Sequence, residues 1–220
     1  QFLDGIQPKL AADEDRRWLY ESAPWVIVSD EISVLRLDQM VPATLRREFQ
    51  RYLGNQGLEA GQLGFESMAK VKYPLEAIFE STRPPREAPL SEKRLFYWAA
   101  RFGQWWSARQ LAAKTKLVQQ AFPSAKTHTL PTDHGFLNAW GSPWLGMSYR
   151  LLDLFELGRQ QAVDYLGSED WLGLNHMYGP GSTWTGAQTF EYFTAVLGAG
   201  VTSPKQQLVA WITPSDEGFL

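Results

Sequence analysis

Four short β-like runs recur along this chain, and helical patterns separate them: Trp25 to Ser29, Lys126 to Leu130, Val163 to Ser168 and Gln207 to Ile212. Trp25-Val26-Ile27-Val28-Ser29 is continuous and rich in β-branched residues, bounded by Pro24 and by Asp30-Glu31. A run with no polar alternation belongs to a strand covered on both faces, which is the environment of a parallel sheet. Strands that alternate with helices imply an α/β class, a parallel sheet with helical crossovers.

The helical segments are predicted at Asp13 to Tyr20, at Thr44 to Leu53 closed by Gly54, and at Glu92 to Phe122 with Ser91 at the N-cap and Pro123 as the stop. Further helices are predicted at Tyr149 to Leu157 and at Thr183 to Leu197, the latter ending at Gly198 and Gly200. The aromatic residues of the longest helix are expected to pack against the sheet. Residues 55–90 look like an irregular insertion with one short helix around Phe65 to Val71, and Thr82 to Pro89 carries three prolines that regular structure does not accept. No internal repeat divides the rest, so residues 1–220 are expected to form one (β/α)-type domain, either whole or a segment of a larger barrel.

Composition narrows the chemistry. The 220 residues carry 21 Lys+Arg against 24 Asp+Glu and no Cys. A net charge of −3 without a basic block argues against a nucleic-acid binder, which needs clustered cations. Arg46-Arg47 with Arg51, and Arg83 with Arg86, are short basic spots on solvated faces. Without Cys there is no thiolate nucleophile, no disulfide and no Cys-ligated metal centre, and the compartment stays open. No apolar stretch approaches the roughly 20 residues of a membrane span. No signal-peptide pattern opens the chain, so a soluble protein is expected. It starts at Gln1, as a processed product or a segment of something longer would. Gly179-Pro180-Gly181-Ser182 lacks a P-loop lysine, and neither Ser168 nor Ser215 sits in a Gly-x-Ser-x-Gly elbow.

Three of the four strands run into acidic pairs: Asp30-Glu31, Glu169-Asp170 and Asp216-Glu217. In parallel α/β folds the carboxyl ends of the strands form the functional face. Carboxylates from separate strands would converge there, and like charges in one pocket drive one pKa up. One protonated acid beside one ionised carboxylate is the equipment for cleaving a glycosidic bond. The chain also has ten Trp, several in loop positions: Trp140 and Trp144 after the second run, Trp171 and Trp184 after the third, and Trp211 in the fourth. Indole faces stack on the C–H faces of sugar rings, while Asn138, Asn175, His134 and His176 offer partners for hydroxyls. Each acid alone could simply cap a helix, and each Trp alone could be a packing residue.

The order Trp25-Val26-Ile27-Val28-Ser29-Asp30-Glu31, Arg47-Glu48-Phe49-Gln50-Arg51-Tyr52-Leu53, Leu63-Gly64-Phe65-Glu66-Ser67-Met68 and Phe96-Tyr97-Trp98, opening a long helix that stops at Phe122-Pro123, resembles the middle of beta-galactosidase-like (β/α)8-barrel glycoside hydrolases. The resemblance extends from about Trp25 to Glu217 as a pattern of elements. It implies that Glu31 is the acid/base glutamate at the end of the fourth barrel strand. It implies a nucleophile from the seventh strand, for which Glu217 is the positional candidate and Glu169 the rival. The family usually has Asn before the acid; Asp30 stands there instead, a carboxylate in place of an amide that would bind the sugar 2-hydroxyl. A whole barrel needs about 250 residues and eight strands. The four strands here therefore imply a half-barrel, with a second chain or a second copy completing it.

This gives the expectation of a β-glycosidase with Glu31, Glu217 and Glu169 as catalytic carboxylates. Asp30, Asp170, His134, Asn138, Trp140, Trp144, Trp171, Asn175, His176 and Trp211 would bind the carbohydrate, and no cofactor or resident metal is needed. Two other classes stay open. One is a non-catalytic carbohydrate-binding or structural barrel. The other is a metal-dependent hydrolase using His128, Asp133 and His134 with Glu31 or Asp170, although their spacing matches neither His-x-His nor His-Glu-x-x-His.

Overall fold

The structure, a computed structural model, describes residues 25–32, 37–80, 87–131, 152–167, 194–195 and 198–209. Strands β1 (Trp25–Ile32), β2 (Lys126–Pro131), β3 (Tyr165–Gly167) and β4 (Gln207–Val209) form one four-stranded sheet in the order β1-β2-β3-β4. Every neighbouring pair is parallel. The α/β class and all four strands agree with the sequence pattern; the described part of β4 ends at Val209, and 210–212 lie outside it.

Among the described residues the helices are α1 (Pro42–Asn55), α2 (Leu75–Glu80), α3 (Leu90–Ala121) and α4 (Leu154–Arg159), with short helical pieces at 194–195 and 198–200. Pro42 starts α1, where its fixed φ suits the first helical turn. Leu45, Phe49, Tyr52 and Leu53 bury one stripe of it. The α1 helix runs past Gly54 to Asn55. The 32-residue α3 begins at Leu90, directly after Pro89, so Ser91 is not its N-cap but lies within its first turn. Asp153 caps α4 by accepting hydrogen bonds from the amides of Phe155 (2.8 Å) and Glu156 (3.3 Å). That cap starts the helix at Leu154, later than the predicted Tyr149. The predicted helix at 13–20 lies outside the described residues, as do 183–193 and 196–197 of the helix predicted at Thr183 to Leu197, whose residues 194–195 are helical.

Parallel strands in unbroken sequence order have no point where the winding reverses, so right-handed crossovers put their helices on one face. The packing agrees. Leu166 of β3 and Val28 of β1 share a core with Ala108, Leu111 and Ala112 of α3 and Leu154 and Leu157 of α4. Thr115 Oγ1 on α3 donates to the Ala162 carbonyl at 2.6 Å and lies 3.3 Å from Thr127 Oγ1, tying the helix to β2. At the amino end of the sheet, the Asp164 carboxylate accepts from the Thr127 amide (2.8 Å), the Thr127 hydroxyl (2.9 Å) and Gln119 Nε2 (3.1 Å). This end is locked by hydrogen bonds and is structural.

The insertion is more ordered than its sequence suggests. Between α1 and α3 lie two 3₁₀ turns, Ala60–Leu63 and Met68–Lys70, and then α2, rather than one helix around Phe65 to Val71. The Glu59 amide donates to Gln62 Oε1 at 2.9 Å at the start of the first turn, and Gly64 ends it at φ 81°, a left-handed angle that suits glycine. Gln50 Nε2 holds the following segment by donating to the Val71 carbonyl at 2.8 Å.

A second core forms here, made of Leu37, Leu45, Phe49, Tyr52, Leu53, Leu63, Val71, Tyr73, Ile78, Ala99 and Phe102. Phe102 meets Phe49 at 5.3 Å and Tyr52 at 5.5 Å between ring centroids, and Tyr52 meets Trp105 at 5.1 Å. Trp98, Trp105 and Trp106 flank it. The aromatic residues of the long helix therefore pack mainly against the insertion, and only its C-terminal half packs on the sheet. A helix of 32 residues is about 48 Å long, roughly twice what an eight-residue strand spans, so its N-terminal half is free to build a separate core.

Candidate active site at the carboxyl ends of the strands

Because all four strands are parallel, Ile32, Pro131, Gly167 and Val209 lie toward one end of the sheet. Asp30 and Glu31 are in β1 at that end. The pairing of β1 with β2 is irregular there: Ser29 pairs with Thr129 and Ile32 with Pro131, so Asp30 and Glu31 together face the single position Leu130. A second extra residue, Val28, sits between the Ile27–His128 and Ser29–Thr129 pairs. Bulges of this kind break the strict alternation of side chains and re-aim them, and they are over-represented beside active sites. The extra residue between Ser29 and Ile32 falls on the acidic pair that sequence pattern singles out.

The chain reaches Glu169 two residues after Gly167, and it reaches Glu217 eight residues after Val209. Glu169, Asp170, Glu217, His134, Asn138, Trp140, Trp144, Trp171, Asn175, His176 and Trp211 all lie outside the described residues, and Asp30 and Glu31 are placed by their backbone. Asp133 of the metal alternative is likewise outside. Among the described residues no group of three metal-ligating side chains comes together, and no helix is long and apolar enough to cross a membrane.

The face of the sheet opposite the helices carries a cluster that sequence pattern alone does not indicate. His128 is fully buried there, its ring 5.3 Å from Trp25, whose indole also meets Tyr165 edge-on at 6.3 Å. His128 Nδ1 lies 3.0 Å from the Tyr165 carbonyl oxygen. A carbonyl only accepts, so Nδ1 carries the proton, and Nε2 is the acceptor nitrogen of the neutral ring. A Cβ at Gly167 would overlap His128 Cε1 and come within 3.1 Å of Nε2, so the absence of a side chain on β3 is what admits the imidazole. Pairing with Tyr165 and contact with Gly167 could not be read without the strand register.

Burial holds the His128 pKa below its ordinary value of 6.5, and the hydrogen bond to Tyr165 opposes this only in part. The unfolded chain therefore takes up a proton near pH 6.5 that the folded chain refuses. This contribution to stability is complete above about pH 6.5 and declines as the pH falls from there toward the lower folded value. Urea midpoints at several pH values, for the wild type and for His128→Asn, isolate the effect. Asn keeps an N–H for Tyr165 but cannot titrate, so the acid-side decline is expected to be shallower in the variant. Equal slopes would contradict the assignment.

Comparison with protein families, with curated proteins and with solved structures finds no match.

Proposed function

We propose that this chain is a glycoside hydrolase acting on a β-linked sugar, with Glu31 as the protonated acid and Glu217 or Glu169 as the nucleophile or base. The observation that carries the proposal is the bulge at Asp30-Glu31 on the carboxyl end of a parallel sheet. Strand order adds support. β4 is the third strand after β1, the same interval that separates the fourth and seventh strands of the barrels the sequence resembles. At about 4.8 Å per strand, the ends of β1 and β3 are roughly 10 Å apart and those of β1 and β4 roughly 14 Å apart along the sheet. Glu169 follows the end of β3 by only two residues, so the β1–β3 distance leaves side chains leaning inward within reach of the spacings that glycosidases use, about 5–5.5 Å for retention and about 6.5–9.5 Å for inversion.

In this reading Asp30 meets the sugar 2-hydroxyl, and Trp140, Trp144, Trp171 and Trp211 stack on sugar rings. Asp170, His134, Asn138, Asn175 and His176 bind hydroxyls. The sheet is half of a (β/α)8 barrel, and a second chain or second copy supplies the other four strands. Ile27, on β1, is 47% exposed, as a strand residue awaiting a covering layer would be.

The experiment is hydrolysis of aryl β-galactosides by the full chain and by its Glu31→Gln variant. Turnover that depends on Glu31 supports the proposal. Retention of the chain on a galactan gel without any turnover would favour a carbohydrate-binding barrel instead.

A further inference from the structure

The N-terminal half of α3 stands beyond the carboxyl edge of the sheet. The chain leaves β1 at that edge, forms the insertion, enters α3 at Leu90 and runs down α3 to reach the start of β2. Thr115 marks the side of α3 that faces the sheet, because its hydroxyl contacts Thr127 and Ala162. Tyr97 is 18 residues earlier, which at 3.6 residues per turn is five full turns, so it occupies the same side of the helix about 27 Å further along. From Thr127 to the end of β2 at Pro131 the strand climbs only about 13 Å. Tyr97 therefore lies about 14 Å above the strand ends, on the side of the helix that overlooks them.

Of the other aromatic rings in this half of α3, Phe102 is buried in the second core and Phe96, Trp98 and Trp105 pack against it partly buried, but Tyr97 is 55% exposed. Its ring is braced edge-on by Trp98, with centroids 5.2 Å apart and planes at 81°. A scattered exposed aromatic is ordinary on a protein surface. An aromatic buttressed from the side and standing above the functional edge is a stacking platform, since an apolar face held in place loses little entropy on binding.

We infer that Tyr97 is a remote carbohydrate subsite and that the substrate is an extended β-linked oligosaccharide or polysaccharide rather than a disaccharide. The inference rests on the glycosidase proposal for its chemistry. A platform about 14 Å above the strand ends is too far to touch the sugar being cleaved and within reach of one further along the same chain. The N-terminal half of α3 is then the wall that carries the substrate tail, with the insertion packed behind it.

The test compares the wild type, Tyr97→Ala and Tyr97→Trp on a short probe, p-nitrophenyl β-galactoside, and on a long one, soluble β-linked galactan. Tyr97→Ala is expected to weaken galactan retention in affinity electrophoresis, and to raise its KM, by roughly tenfold. Turnover of the short probe is expected to stay unchanged, and Tyr97→Trp is expected to restore galactan binding. The position is exposed, so the substitution leaves the core intact, and circular dichroism checks that the variant folds. Galactan handled equally by wild type and Tyr97→Ala overturns the subsite while short-probe turnover leaves the carboxylate proposal standing. Tyr97-dependent galactan binding without turnover of either probe keeps the subsite and sinks the catalysis. No binding and no turnover overturns both.

Discussion

Glu31→Gln is expected to lower kcat on β-galactosides with poor leaving groups by roughly 10²–10⁴, the usual contribution of a positioned general acid. The loss has a signature. A sugar or alkyl alcohol cannot depart as an anion and needs a proton, which the proposed mechanism assigns to Glu31, whereas a dinitrophenolate leaves without help. The variant should therefore lose most of its kcat/KM on the former and little on the latter, whereas kcat falls on both in a retaining enzyme, where the same group is the base of the second step. The basic limb of the pH profile, which reports deprotonation of the acid, should also disappear. The amide that replaces the carboxyl group is nearly isosteric with it, so a uniform loss of kcat/KM over all leaving groups would point to damaged packing at the bulge. Retention of wild-type kcat within about twofold would remove Glu31 from the chemistry, since even a modest general acid contributes more.

Gly158→Ala is expected to be the most destabilising single-methyl change among the described glycines. A Cβ there would overlap the Gly200 carbonyl oxygen and come within 2.9 Å of Thr202 Cγ2. Gly200 is equally constrained, since its own Cβ would lie 2.9 Å from the Leu154 carbonyl oxygen. The obstacle is backbone on both sides, so no rotamer change relieves it. Inserting volume where the surroundings cannot move costs about 3 kcal/mol or more, a large part of the 5–15 kcal/mol that holds a domain together. At about 2–4 °C per kcal/mol for a chain of this size, Tm should fall by roughly 10 °C. Gly54→Ala in α1 is the control: its Cβ meets nothing within 4 Å, and helix propensity predicts no loss. Equal melting of the two variants would mean that α4 and the segment around Gly200 are not in tight contact.

The same glycine pair shows where sequence pattern misleads. Gly198 and Gly200 look like a helix stop, yet residues 198–200 are helical, and Gly200 is small because Gly158 comes against it. Close approach and chain termination ask for the same residue, and only the partner across the gap tells them apart. The strands were legible because Trp25 to Ser29 is an unbroken apolar, β-branched run, although β1 is not covered on both faces as that run suggests: none of the five is buried and Ile27 is exposed. The insertion core was not. Phe49, Tyr52, Tyr73 and Phe102 come from three separated segments, and nothing in any one of them announces the others.

At the candidate site, the acidic pair at the end of β1 was legible from residue type and position. The bulge beneath it depends on which residue of β2 lies opposite, a relation that a single strand does not encode. His128 is a similar case. Its place in a Thr-rich run gave its strand, but its burial follows from Trp25 above it and the missing side chain at Gly167.

The most direct measurement is the separation of the Glu31 carboxylate from those of Glu217 and Glu169 in a crystal structure of the full chain with a bound β-galactoside analogue. One of the two is expected to face Glu31 across the sugar, at about 5–5.5 Å for a retaining enzyme or about 6.5–9.5 Å for an inverting one. A structure in which neither carboxylate faces Glu31 across a cleft would contradict the glycosidase proposal.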